Sequence, residues 1–151
     1  MRLKFSDEVK TLGRCRLTVR DLEAEILKVT GWKPNLVTDD GEELYAKLLR
    51  GDALDPCNYC AVGSGNTPAA EGDSALETEI GRLEVTEATI AGSTVTYSTF
   101  FGSGDANGNW WEVGMLNDPV AGVLIARTVL GGLQVKNVAN TITCDYELSV
   151  V

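Results

Sequence analysis

Thr141-Ile142-Thr143-Cys144-Asp145-Tyr146-Glu147-Leu148-Ser149-Val150 is the stretch whose reading decides the fold. Ile142, Cys144, Tyr146, Leu148 and Val150 alternate without a break with Thr141, Thr143, Asp145, Glu147 and Ser149. Successive side chains of an extended chain point to opposite faces, so this period of two describes a strand with one face in a core and the other turned outward. The same alternation occurs near the other end of the chain. In residues 14–20, Cys15, Leu17 and Val19 share one face, and Arg14, Arg16, Thr18 and Arg20 share the other.

Working outward from these two strands, residues 25–30 read as the hairpin partner of 14–20, connected through 21–24, so that 14–30 forms an N-terminal hairpin. A helix through 21–29 is the rival reading, because Leu22, Glu23, Ala24 and Glu25 are good helix formers. A helical period occurs at 41–50. Asp40 can cap it, Glu43 stands at capping-box spacing, Leu44, Leu48 and Leu49 form an apolar stripe beside Tyr45, and Gly51 supplies the stop. From residue 57 onward strands and turns predominate: 57–62, then 83–90 and 94–101 paired around Ala91-Gly92-Ser93, then 110–116 and 123–130 joined through Asn117-Asp118-Pro119, with Gly131-Gly132 preceding the last strand. Short strands at regular spacing with Gly-rich turns and one helix predict a mainly β fold, an antiparallel β-sandwich or open barrel with one short helix at about 41–50. Neither a composition break nor an internal repeat divides the chain, so 1–151 is expected to form a single domain whose sandwich occupies 57–151.

Composition narrows the function classes. The 151 residues carry 13 Lys and Arg against 22 Asp and Glu, a net charge of −9 that repels phosphate backbones, so nucleic-acid binding is not expected. Arg14, Arg16, Arg20 and Lys28 concentrate positive charge early, which suggests an exposed strand face meeting an acidic neighbour. No apolar run approaches the ~18–20 residues of a membrane helix, and residues 1–10 lack the apolar region of a secretory signal. Histidine is absent, which removes the commonest general base and metal ligand together.

The remaining candidates for chemistry each have a plainer explanation. Cys57 and Cys60 stand at C-x-x-C spacing and, with Cys15 and Cys144, provide enough thiolates for a zinc site or for disulfides. Cys15 and Cys144 lie on inward strand faces, however, where a thiol acts as a small apolar group, and Cys60 leads from strand into loop rather than into a helix. The Gly63-Ser64-Gly65-Asn66-Thr67 loop lacks the Lys and Ser/Thr ending of a phosphate loop. Asp105-Ala106-Asn107-Gly108-Asn109 imitates the start of a calcium loop, but the required sixth-position Gly is Trp110 and the twelfth position is Leu116. Glu77 and Glu79 have no nucleophile at readable spacing. Glu112 and Arg127 are charges embedded in apolar strands, where a lone charge is costly, so ion pairs of Arg82 or Arg127 with Glu79 or Glu112 are expected. No catalytic residue, cofactor or metal is expected, and the chain reads as a non-enzyme.

Four segments resemble the tail-collar fibre domains of bacteriophage tails. They are the loop from Tyr59 through Gly63 and Gly65 to Thr67 and Pro68, the segment Leu76, Glu79, Arg82, the element Glu112-Val113-Gly114-Met115, and Gly122-Val123-Leu124-Ile125-Ala126-Arg127, with Asn35-Leu36-Val37-Thr38 opening the helix in a related way. The resemblance covers about residues 35–130 and lies in the order of four short motifs. It implies a β-rich virion protein of the neck, collar or tail-fibre attachment region, made in the host cytoplasm, forming a symmetric homo-oligomer with other head–tail, collar or tail proteins as partners. The hairpin before residue 35 and the four cysteines lie outside the fibre pattern and favour a compact collar, neck or adaptor subunit. Trp110 and Trp111 are the candidate interface anchors: adjacent in one strand, they send their rings to opposite faces, one for the core and one for an interface. The alternative reading is a receptor- or glycan-binding β module using the aromatic and Asn/Asp-rich stretch 105–111.

Overall fold

The computed structural model describes residues 11–150; the N-terminal residues 1–10, where the signal-sequence reading falls, lie outside that range. In chain order the elements are β1 (Thr11–Asp21), β2 (Ile26–Val29), β3 (Lys33–Pro34), β4 (Leu36–Val37), α1 (Asp39–Leu49), β5 (Tyr59–Gly63), β6 (Glu79–Glu84), β7 (Glu87–Ala91), β8 (Thr94–Phe101), β9 (Gly108–Leu116), β10 (Leu124–Lys136) and β11 (Asn140–Val150). They form two antiparallel sheets with no closed barrel. Sheet A has the order β2-β1-β11-β8-β7, with β3 also paired to β1; sheet B has the order β4-β10-β9-β5-β6. The fold is a β-sandwich.

The two alternating stretches become the centre of sheet A. β1 and β11 pair from Thr11 opposite Val150 to Asp21 opposite Asn140 without a bulge. Cys15, Leu17 and Val19 are buried, as are Ile142, Cys144, Tyr146 and Leu148, while Val150 is exposed at the end of its strand. Burying a side chain the size of Leu17 stabilises by roughly 1.5–3 kcal/mol, and a one-residue slip would turn every one of these groups outward, so the core fixes the register. Phe101 of β8 meets Trp110 of β9 edge to face with ring centroids 4.9 Å apart, which joins the sheets across the interior. The segment 25–30 is a strand and not a helix: β2 pairs with β1, with Thr18 opposite Val29.

Several boundaries differ from expectation. The helix runs from Asp39 to Leu49, and its N-cap is Thr38, not Asp40: the Thr38 hydroxyl accepts from the Gly41 N–H at 2.9 Å. The same hydroxyl donates to the Leu124 carbonyl, so the cap also fastens the helix to β10. Leu49 is 89% exposed and takes no part in the buried stripe. The expected single strand 83–90 is split: β6 belongs to sheet B and β7 to sheet A, and the chain crosses between the sheets at Val85 and Thr86, whose N–H groups donate to Asn58 of one side and Ser98 of the other. Gly131 and Gly132 do not separate strands. β10 runs through them to Lys136 with a bulge between Val129 and Gln134, where Gly131 takes φ +70. Arg14 and Arg16 form ion pairs within the chain, with Glu147 at 2.6 Å and Asp145 at 3.4 Å, and both stack on Trp32 at 4.0 and 4.5 Å, so this face of β1 is largely neutralised by β11.

Candidate functional site

Sheet B has a second covered face. Cys60, Val62, Val113 and Met115 belong to the central core, and their alternating neighbours Ala61, Leu116 and Leu124 form a smaller cluster with Leu76 from the segment between β5 and β6. On this outer face the carboxylate of Glu112 is fully buried. It accepts from the backbone N–H of Gly65 (3.2 Å), Thr78 (2.8 Å) and Glu77 (3.0 Å), and from Nε of Arg127 at 2.7 Å. The Arg127 guanidinium, itself almost fully buried, donates from Nη1 to Asp73 at 3.1 Å and lies 3.6 Å from Glu77 through Nη2. A buried ion pair is tolerated when most of its remaining hydrogen-bonding capacity is met, and here the covering loop meets it for the carboxylate and for Nη1, while Nη2 is buried without a hydrogen-bond partner.

The glycines of the loop have their physical reason here. A Cβ on Gly63 would lie 2.4 Å from both the Glu112 carboxylate and the Thr78 carbonyl, and one on Gly65 would lie 2.3 Å from the Glu77 Cβ. The loop thus approaches the carboxylate as closely as backbone permits. Glu77 in turn accepts from Thr67 N–H at 3.0 Å, and the hydroxyl and N–H of Thr67 hold its carboxyl below the usual range. Arg82 forms a separate pair with Glu79 at 2.7 Å and donates to the carbonyls of Asp118 and Ala121, both at 2.8 Å, which ties β6 to the β9–β10 turn.

The four cysteines are unbridged and buried. Cys15 and Cys144 are neighbours with sulfurs 3.5 Å apart, on strands β1 and β11. A contact with Cys144, reinforced by burial, raises the thiol of Cys60 well above its ordinary value; Cys144 is raised first by Cys15 and then by burial. Burial pushes the Cys57 thiol up to about 12. Cys57, Cys60 and Cys144 are thereby kept protonated, and all four thiols are enclosed, the opposite of the exposed, electropositive setting that activates a thiolate. No group of three or more Cys, Asp or Glu side chains is arranged to hold a metal ion among the described residues.

The stretch that imitates a calcium loop does enclose a cation, supplied by the chain itself. The buried ammonium of Lys136 donates to Asn107 Oδ1 at 2.8 Å, to the Asn137 carbonyl at 3.2 Å and to the Ser103 carbonyl at 3.4 Å. Desolvation lowers its pKa, partly countered by the Asp105 charge. Beside it, Trp110 donates from Nε1 to the Ala106 carbonyl at 2.7 Å and is fully buried, so Trp110 is a core residue and not an interface anchor; Trp111 is half-buried.

Sequence reasoning expected Glu79, Arg82, Glu112 and Arg127 as ion-pair partners, and the structure places Arg82 with Glu79 and Arg127 with Glu112. It missed Asp73 and Glu77 as further partners of Arg127, and Lys136 altogether. The paired glycines at 63 and 65 were the available signal for the first, since isolated glycines at a strand end mark a close backbone approach. Lys136 alternates with exposed Val135 and sits inward beside buried Gln134, a pattern hidden by the preceding bulge. Comparison with protein-family models, with curated proteins and with solved structures gives no match for this chain.

Proposed function

We propose that this chain is a structural subunit of a bacteriophage virion, belonging to the neck, collar or tail-fibre attachment region and working as a homo-oligomer. The observation that carries this reading is the convergence of the resembling segments. Gly65, Glu77, Thr78, Glu112 and Arg127 come from separate motifs along about sixty residues and meet around one carboxylate. Four short motifs that form one contact network constitute one structural unit, and the role of that unit is to hold a covering loop on a sheet. Such a network is architecture: the carboxylate's lone pairs are taken by N–H groups, and its cation is fixed by a hydrogen bond.

The glycan-binding alternative draws less support. The polar groups of Ser103 and Asn107 are engaged by Lys136, and Trp110 is turned inward, which leaves half-buried Trp111 as the aromatic ring of that stretch nearest to solvent. Native mass spectrometry of the unreduced protein tests the assembly reading. A defined homo-oligomer is expected; a monomer at every concentration, together with binding on a carbohydrate array, would transfer the protein to the recognition class.

A further inference from the structure

The sandwich is open along one margin. β1 pairs with β11 on one side and with the short strands β2 and β3 on the other, and among the described residues no strand lies beyond β2. Facing this edge, the bulge of β10 stands away from its partner strand, and a groove of about 250 Å³ opens between the two sheets. Leu17, Leu130 and Leu133 give it an apolar lining, and Lys28 and Lys33 line it as well. Register fixes the side on which the lysines stand. Lys28 lies opposite Val19 and Lys33 opposite Cys15, both on the core-facing side of β1. Leu17 stands midway, two positions from each, so the lysines flank the apolar floor at strand levels roughly 13 Å apart.

Three features of the groove define what fits it. Among the described residues its lining has no Asp or Glu, in a chain that carries 22 of them, and neither ammonium forms an ion pair with a described residue. The groove is therefore a local cationic spot on an anionic protein and favours an acidic visitor. Its volume lies below the roughly 300–1,000 Å³ of small-molecule sites, which suits a side chain entering from a longer chain better than a whole ligand. Gln134, nine-tenths buried in the wall, donates from Nε2 to the Val135 carbonyl and keeps Oε1 without a hydrogen-bond partner. A backbone N–H can use that acceptor; a hydrocarbon tail cannot. The free edge of β2 completes the set, since an extended peptide can add to it as a further strand.

We infer that this groove docks an extended segment of a partner protein with the pattern acidic-x-apolar-x-acidic, its apolar side chain over Leu17 and its two carboxylates at Lys28 and Lys33. Alternate residues of an extended chain share a face, so an apolar residue level with Leu17 carries its neighbours two positions away to the levels of both lysines. The pattern is the same in either direction, so parallel and antiparallel addition both satisfy it. Such docking does not depend on whether copies of this chain associate with one another.

The probe is a fluorescent, end-blocked peptide with the core Glu-Thr-Leu-Thr-Glu, titrated with the full chain and read by anisotropy. Saturable binding is expected, weakened by added salt, and weakened roughly tenfold or more when serine replaces the leucine or lysine replaces both glutamates. Lys28→Glu combined with Lys33→Glu is expected to reverse the preference, rejecting the acidic peptide and accepting the lysine one. Circular dichroism shows whether this variant folds, and if it does not, the three peptides on the wild type still decide. Absence of binding, or binding indifferent to the peptide's charge or to its leucine, overturns the docking site. Displacement of the bound peptide by decanoate assigns the groove to a small amphiphile and overturns it likewise. Native mass decides the homo-oligomer separately, so either reading can fail without the other.

Discussion

The ion pairs on the outer faces of the two sheets look alike in length and differ in everything that sets their energy. On sheet A, Arg14 and Glu147 stand 2.6 Å apart, with the Arg14 side chain 50% exposed and Glu147 20% exposed. On sheet B, Arg127 and Glu112 stand 2.7 Å apart with 3% and 0% exposed. Water competes for the first pair and screens it; the second has only protein around it. In sheet A the strands alternate between core and a partly wetted polar face, which is how antiparallel sheets commonly solve the burial problem. In sheet B the loop between β5 and β6 closes over the outer face, so most of β5 and the adjoining stretches 112–116 of β9 and 124–128 of β10 are buried on both sides. The difference teaches that a charge in a strand is informative only when the covering of that strand is known.

The comparison can be broken most forcefully at Glu112. Glu112→Ala leaves Nε of the buried Arg127 and three backbone N–H groups without their acceptor, and is expected to destabilise by about 3–5 kcal/mol, read as a drop in the urea midpoint. Replacing Glu112 and Arg127 together by leucine removes both charges but still orphans the N–H groups of Gly65, Glu77 and Thr78; a double variant as stable as the wild type would show that the carboxylate holds no loop. Gly63→Ala is the next step down. Its methyl group would push against the Thr78 carbonyl, a backbone contact, and an overpacking cost of about 1–3 kcal/mol is expected in the same titration. At the outer face of sheet A, Glu147→Ala is expected to cost about 1 kcal/mol or less. A loss equal to that at Glu112 would erase the contrast between the faces.

The smallest effect concerns acid. The Glu77 carboxyl is held low in the folded chain by Thr67, so its folded value lies beneath the unfolded one of about 4.3. Its contribution is therefore present above that unfolded value and is lost as pH falls through the lowered folded one. Glu77→Gln removes this dependence. Urea midpoints of wild type and variant are expected to differ at neutral pH and to converge as pH drops below about 4; a gap that widens in acid would contradict the geometry.

What could be read from the chain follows the same division. Residues 14–20 and 141–150 announced their strands because sheet A keeps one face apolar and one polar, and each side chain reports its own direction. The segment 25–30 was legible as a strand for the same pairing reason, although all of β2 is exposed. In sheet B the period is lost: from Val113 to Leu116 every residue is buried, and the sides separate only through their contacts. The pairing of Glu112 with Arg127 was legible from the cost of a buried charge. Asp73 and Glu77 were not, because they reach Arg127 through a loop whose path no periodicity encodes. The crossing at Val85 and Thr86 was hidden likewise, since both halves read as strand and only the change of partners marks the passage between sheets.

Pairing the first strand with the last also has a consequence in time. Cys15 and Cys144 touch across 129 positions of sequence, and at about 5–20 residues per second a ribosome needs on the order of ten seconds to deliver the second after the first. Through that interval β1 has only the short strands β2 and β3 along one edge, and the edge that will receive β11 is unsatisfied. Leu17 and Val19 wait exposed beside it. Contacts of such separation make folding slow and late, so the nascent chain spends its most vulnerable period holding an apolar strand in solution, and a chaperone present during synthesis is expected to raise the yield more than one added afterwards.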